Sequence, residues 1–181
     1  MAVVINGNGA VTGLTALPDS AMASGSVINT SSTTKTDTAS ASVAQGAVSS
    51  ALISLSYAAA SSSNKLVIVA NINLGSSSNA NIFWTLLIGG SASAYRGDTS
   101  DSRQRVSSSS AEAAAANIAS FTVVFELSSP STSSTVYGIG ASHAQDATET
   151  MYINRTHGNA NANYVGRTAS SLTIFEVAAW V

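Results

Sequence analysis

Few residues in this chain can move a proton or hold a metal ion. His143 and His157 are its two imidazoles, and there is no Cys. Absent thiols exclude disulfide frameworks, thiolate metal sites and Cys nucleophiles, and leave the redox compartment undetermined. A Ser-His-Asp relay can be drawn with Asp146, yet in a chain so full of Ser any His has Ser neighbours by chance. Metal binding needs several His or carboxylates converging, whereas His143-Ala144-Gln145-Asp146 offers one weak pair. Both histidines are therefore expected in loops or at a rim. Glu126 and Glu176 each interrupt an apolar strand. As a glycosidase pair they would stand about 5–10 Å apart across a groove. No second feature of such a groove accompanies them, so alternation toward a polar face, or a buried ion pair with Arg155 or Arg167, is the preferred reading. No catalytic residue, metal or cofactor is assigned, and the chain is not expected to be an enzyme.

Two glycine-rich runs mimic known motifs. In Gly7-Asn8-Gly9-Ala10-Val11-Thr12-Gly13 the third Gly comes one place too late for a dinucleotide fingerprint, and no βαβ unit follows. Gly89-Gly90-Ser91-Ala92-Ser93 misses the nucleophile elbow at its final residue. The dense charged patch runs from Tyr95 to Arg105 and holds three of the seven Lys/Arg residues, Arg96, Arg103 and Arg105, with Asp98 and Asp101. Its Arg96-Gly97-Asp98 tripeptide invites an integrin reading, but that depends wholly on loop presentation. A hairpin tip with local ion pairs, or an inter-subunit contact, is expected instead. A second polar cluster runs from Asn154 through His157, Asn159 and Asn161 to Tyr164. Amides beside the rings of Tyr152 and Tyr164 suit sugar hydroxyls and C–H faces, and the same composition suits an ordinary long turn. These two clusters supply the candidate outer-loop contacts: Arg96, Asp98, Arg103, Arg105, Asn154, His157, Asn159, Asn161 and Tyr164.

The elements that must position such loops follow from composition and pattern. The chain has 181 residues, of which only 9% are charged, and a formal net charge of -2. Nucleic-acid binding needs clustered Lys/Arg and is not expected. No apolar run approaches the roughly 20 residues of a membrane span, and Met1-Ala2-Val3-Val4-Ile5-Asn6-Gly7 lacks the basic start of a secretory signal. Of the 45% hydrophobic residues, 31 are Ala, while Ser and Thr number 34 and 17. The core is therefore thin, and part of the burial is expected to come from neighbouring subunits.

Strand-length apolar runs recur at Leu52–Tyr57, Lys65–Ile72, Ile82–Ile88, Ile118–Leu127, Thr135–Ile139, Glu149–Ile153 and Leu172–Val177. Gaps rich in Ser, Asn and Gly separate them, which predicts an all-β sandwich of about eight antiparallel strands. Ala111–Ala116 has helical propensity but is short, and reads as a loop or single turn. Residues 1–25, with Val3, Val4, Ile5, Leu14 and Leu17 among Gly and Pro, read as an extended arm that docks on something else; residues 26–181 form the sandwich domain.

Wording as well as pattern points to a family. Ile5-Asn6-Gly7-Asn8-Gly9-Ala10-Val11-Thr12-Gly13-Leu14 with Leu17-Pro18-Asp19 resembles linker segments of tailed-bacteriophage fibre proteins. Ser32-Thr33-Thr34-Lys35-Thr36-Asp37-Thr38 resembles the first strand of a small jelly-roll head domain found in phage virion proteins. Further pieces follow in the same order: Ser61–Ile68, Tyr95–Asp98, Ser129–Tyr137 and Ser170–Val177. The resemblance implies a jelly roll, trimeric in the manner of tumour-necrosis-factor-type heads, with a structural role at the virion surface and no enzymatic activity. Its partners would be further copies of itself, other tail or capsid proteins, and a host surface glycan. The short chain leaves little room for a shaft, so a compact fibre or spike head and a capsid decoration protein are both carried forward. A free lectin-like glycan-binding module is the reading from another class.

Overall fold

A computed structural model describes residues 4–5, 11–12, 22–113, 117–159, 162 and 165–179. The strands are β1 (Val4–Ile5), β2 (Val11–Thr12), β3 (Val27–Lys35), β4 (Ala39–Val43), β5 (Ile53–Tyr57), β6 (Lys65–Ser76), β7 (Ala80–Ile88), β8 (Ser91–Ala92), β9 (Ser108–Ala113), β10 (Ala119–Ser128), β11 (Thr135–His143), β12 (Glu149–Ile153) and β13 (Ser170–Val177). Among the described residues the pairings are antiparallel, and β1 pairs with β2 in a sheet of two. The other strands form sheets of six and five, packed as a sandwich.

Register reduces these strands to eight columns. At Leu74, β6 faces Ala119 of β10 on one side and Ile153 of β12 on the other. Further along, the side held by β12 is taken over by β13, from Ser171↔Asn71 to Val177↔Lys65. β12 and β13 are thus one interrupted column, and β3 and β4 run beside them as another. The larger sheet is therefore β10, β6, β12/β13, β3/β4. The smaller is β5, β11, β7, then β8 and β9 end to end. Along the chain, columns alternate between sheets except where β7 passes through its hairpin to β8 and β9. That order is the jelly roll, built from interleaved Greek keys.

Alternation makes the core. β13 has every second residue buried, and β6 does the same from Leu66 to Ala70. Leu66, Ile68, Ile72, Leu74, Leu172 and Ile174 from the larger sheet meet Ile82, Trp84, Leu86 and Ile139 from the smaller. Each such side chain contributes about 1.5–3 kcal/mol by leaving water. The Trp84 ring meets Phe121 and Phe125 edge-on, at centroid distances of 6.0 and 5.8 Å.

Local signals set the corners. Gly89 and Gly90 have φ of 61° and 81°, the left-handed pair that a tight β7–β8 hairpin requires. Ser129, just before Pro130, is likewise left-handed at the corner between β10 and β11. One expectation needs correction. Residues 111–113 belong to strand β9, paired with the edge of β7, where a loop or turn was expected. An open sheet edge supplies hydrogen bonds that a short Ala-rich helix in water cannot match, so tertiary pairing overrides propensity. Of the arm residues, Val4 and Ile5 lie in β1, whereas Val3, Leu14 and Leu17 lie outside the described residues.

Candidate functional site

The catalytic constellations do not assemble. Glu126 lies opposite Val67 and Glu176 opposite Leu66, on the two strands flanking β6. Successive β6 residues point to opposite faces, so the two carboxyls do as well. Glu126 faces solvent and pairs with Lys65 at 2.5 Å. Glu176 is fully buried between the sheets, without a basic partner among the described residues. Its Oε2 accepts from the Tyr57 hydroxyl at 2.6 Å, and its Oε1 from Ala60 N–H at 2.8 Å and Asn64 Nδ2 at 2.6 Å. The expected ion pair with Arg155 or Arg167 is thus absent for both carboxyls: Glu126 takes Lys65, and Glu176 is satisfied by neutral donors.

The histidines divide. His143, expected in a loop or at a rim, ends β11 and is fully buried. Its Nε2 lies 2.8 Å from the Val43 carbonyl and its Nδ1 accepts from Gln145 N–H at 3.2 Å, the tautomer with hydrogen on Nε2. Asp146 accepts from Gln45 Nε2 instead of engaging this ring. His157 is exposed in a loop, with Nδ1 3.0 Å from the Tyr152 hydroxyl. Among the described residues no group of three His, Asp or Glu could hold a metal ion.

The loop carrying Arg96–Arg105 joins β8 to β9. It is held by backbone carbonyls: Arg96 Nε donates to Ser93 O at 2.7 Å and Arg105 Nε to Gly97 O at 2.8 Å. The local ion pairs expected there do not form among the described residues. Asp98 and Arg103 are exposed, and Gln104 reaches back to the His143 carbonyl at 2.7 Å.

The second polar cluster is an excursion inserted between β12 and β13, and its base is a buried amide network. Asn154 is fully buried with φ of 62°. Its Nδ2 donates to the carbonyls of Lys35 and Asp37 at 2.7 and 2.9 Å, and its Oδ1 accepts from the Ser170 hydroxyl at 2.6 Å. Asn154 is therefore a structural clamp and not an outer-loop contact. Asn73 of β6 completes the base, receiving Ser120 on Oδ1 and donating Nδ2 to the Ala169 carbonyl. Beyond the clamp, Arg155 and Arg167 face each other across an isolated antiparallel bridge. The loop crosses β6 so closely that a Cβ on Gly75 would lie 2.5 Å from the Arg155 carbonyl oxygen. Arg155 lies over the Tyr152 ring at 3.8 Å, and Arg167 reaches Asn159 Oδ1 at 2.6 Å. His157 and Asn159 are exposed, as expected; Asn161 and Tyr164 lie outside the described residues.

One surface was not singled out from the sequence. On the outer face of the larger sheet, Val124 lies beside Val69, Phe175 beside Val67, and Val177 between Lys65 and Val27. Val124 is 59% exposed and Val27 53%. Its signal was present: Val67-Ile68-Val69 and Val123-Val124-Phe125 are apolar at consecutive positions, so both faces of the strand carry apolar side chains. This patch occupies the half of β6 near Lys65. The excursion crosses the other half at Gly75, about 33 Å along the strand at 3.3 Å per residue. Comparison with known proteins adds no identity: no protein-family model and no curated protein matches this chain.

Proposed function

We propose that this chain is a non-enzymatic structural protein of a tailed-phage particle. In this reading it is a homotrimeric jelly roll, tied to the particle by residues 1–25 and displayed at the virion surface as a fibre or spike head that meets the host. The observation that carries it is the apolar cluster on the larger sheet's outer face, Val27, Val67, Val69, Val124, Phe175 and Val177, beside the Lys65–Glu126 ion pair. A β-sheet face of this composition is left wet in a single copy and covered in an assembly. Position supports the same reading. Gly25 N–H donates to Ala178 O at 3.2 Å and Ala178 N–H to Ser26 O at 2.9 Å, so the chain enters the sandwich beside Val27. Gly25, where residues 1–25 join the sandwich, thus lies at the end that carries the apolar cluster, while the Arg155–Arg167 loop lies toward the other. With a net charge of -2, crowded copies repel little.

Sedimentation of the full chain and imaging of labelled protein on particles test the reading together. Trimers on the tail, with attachment lost but trimers kept on deletion of residues 1–25, are expected. Label spread over the head transfers the protein to the capsid-decoration reading. A monomer at high concentration, or a truncated protein that still attaches, overturns the proposal.

A further inference from the structure

We infer that the Arg155–Arg167 pair is the binding site for the acidic group of an anionic saccharide, a carboxylate or a phosphate or sulfate ester. Residues directly opposite in an antiparallel bridge project to the same side, with Cβ atoms about 4.5–5.5 Å apart, and like charges there are destabilising. Arg155 and Arg167 occupy those opposite positions. No neighbouring acid relieves it: residues 154–169 contain no Asp or Glu, and the ion pairs among the described residues are Lys35–Asp37 and Lys65–Glu126.

Each guanidinium is steered without being neutralised. Arg155 rests on the face of Tyr152, and its NH1 donates to the Thr156 carbonyl at 3.2 Å. Its NH2 and Nε have no partner among the described residues. Arg167 uses NH2 on Asn159 and leaves Nε and NH1 without one. A planar fork held by stacking on an aromatic ring is ready for bidentate capture of an oxyanion. Below it, the buried clamp of Asn154, Ser170 and Asn73 keeps the loop base rigid, which lowers the ordering cost of binding. Around the pair, the exposed His157 and the Asn159 amide supply donors and acceptors of the kind that read sugar hydroxyls. Two guanidiniums in a chain of net negative charge are too few for a nucleic-acid backbone, which is tracked by a basic groove.

This inference rests on the host-contact reading above and is tested apart from it. The full-length protein is applied to an array of uronate-, sialate-, sulfate- and phosphate-bearing saccharides beside neutral ones of matching backbone. Binding confined to acidic saccharides is expected, weakening as salt rises. In titration against the tightest of them, Arg167→Gln and Arg155→Gln should each weaken binding about tenfold or more, the scale of one lost charge-assisted hydrogen bond. Arg167→Gln should melt no lower than the parent, because it removes one of two like charges at opposite bridge positions. Silence across the acidic set, equal binding of neutral sugars, or variants that bind unchanged overturns the inference. Inorganic phosphate bound as tightly as the saccharide would overturn its sugar component. A change of oligomeric mass in either variant would assign the pair to a partner subunit's carboxylate and overturn it as well. Particle attachment and trimer mass are measured without sugar, so their failure is distinguishable from failure here.

Discussion

The hydroxyl of Tyr57 donates to Glu176 Oε2 at 2.6 Å, a polar tie between the two sheets inside the apolar sandwich. Tyr57 belongs to β5 in the smaller sheet and Glu176 to β13 in the larger. Ala60 N–H and Asn64 Nδ2 converge on the other oxygen, and Asn64 Oδ1 then receives Ala179 N–H at 3.2 Å. One buried carboxyl thereby fastens the segment after β5 and the chain after β13 to the same end of the molecule.

Removing that acceptor should be expensive. Glu176→Leu removes the acceptor of the Tyr57 hydroxyl, Ala60 N–H and Asn64 Nδ2, at about 1–3 kcal/mol for each buried bond lost. A loss of about 4 kcal/mol is expected in urea unfolding of the purified protein. Glu176→Gln retains one carbonyl oxygen for two of the donors and should lose about half as much. Equal stability of all three proteins would mean that the network contributes nothing.

Asn154 is expected to matter for stability rather than for surface contact. Asn154→Ala removes three side-chain hydrogen bonds, one buried and two part-buried, and places a Cβ-bearing residue without Asn's local bonding at φ 62°. A cost of about 3 kcal/mol is expected, with faster hydrogen exchange at Thr168 N–H, which now donates to the Asn154 carbonyl. Asn154→Gly tolerates the backbone and should fall between. Unchanged exchange in the alanine variant would show that the excursion is held elsewhere.

Val124→Asp separates association from folding. At 59% exposure the side chain has room for a carboxylate in one copy, so monomer stability should shift by less than about 0.5 kcal/mol. Placed in an apolar contact between copies, the same charge is unpaired and desolvated, and sedimentation should report dissociation. A variant that sediments like the parent would remove this face from the interface.

Tyr137 gives an alkaline limit. Burial pushes its hydroxyl above the ordinary value of 10.0, and Tyr95 adds a smaller contribution in the same direction. The folded state therefore holds its proton where the unfolded chain has released it. Stability from this group is complete below about pH 10 and is lost as pH rises through the higher folded value. The denaturation midpoint should decline from pH 9 to 11 more steeply in the parent than in Tyr137→Phe. Parallel profiles would dismiss the effect.

Much of the frame was legible along the chain. The alternation in Leu172–Val177, the limits of Glu149–Ile153 and the turn at Gly89–Gly90 are local: strand period and left-handed glycine act over neighbouring residues. Sequence alone therefore determined an all-β chain of low charge with short strands. Which face each polar residue takes was decided by partners far away. His143 is buried because Val43 offers its carbonyl 100 residues earlier, and Asn154 because Lys35 and Asp37 do so from β3 and its following turn. Glu126 and Glu176 part company because β10 and β13 meet β6 in registers one residue out of phase. A one-residue shift in register inverts every side chain of a strand, and register is a property of the folded sheet, not of the strand.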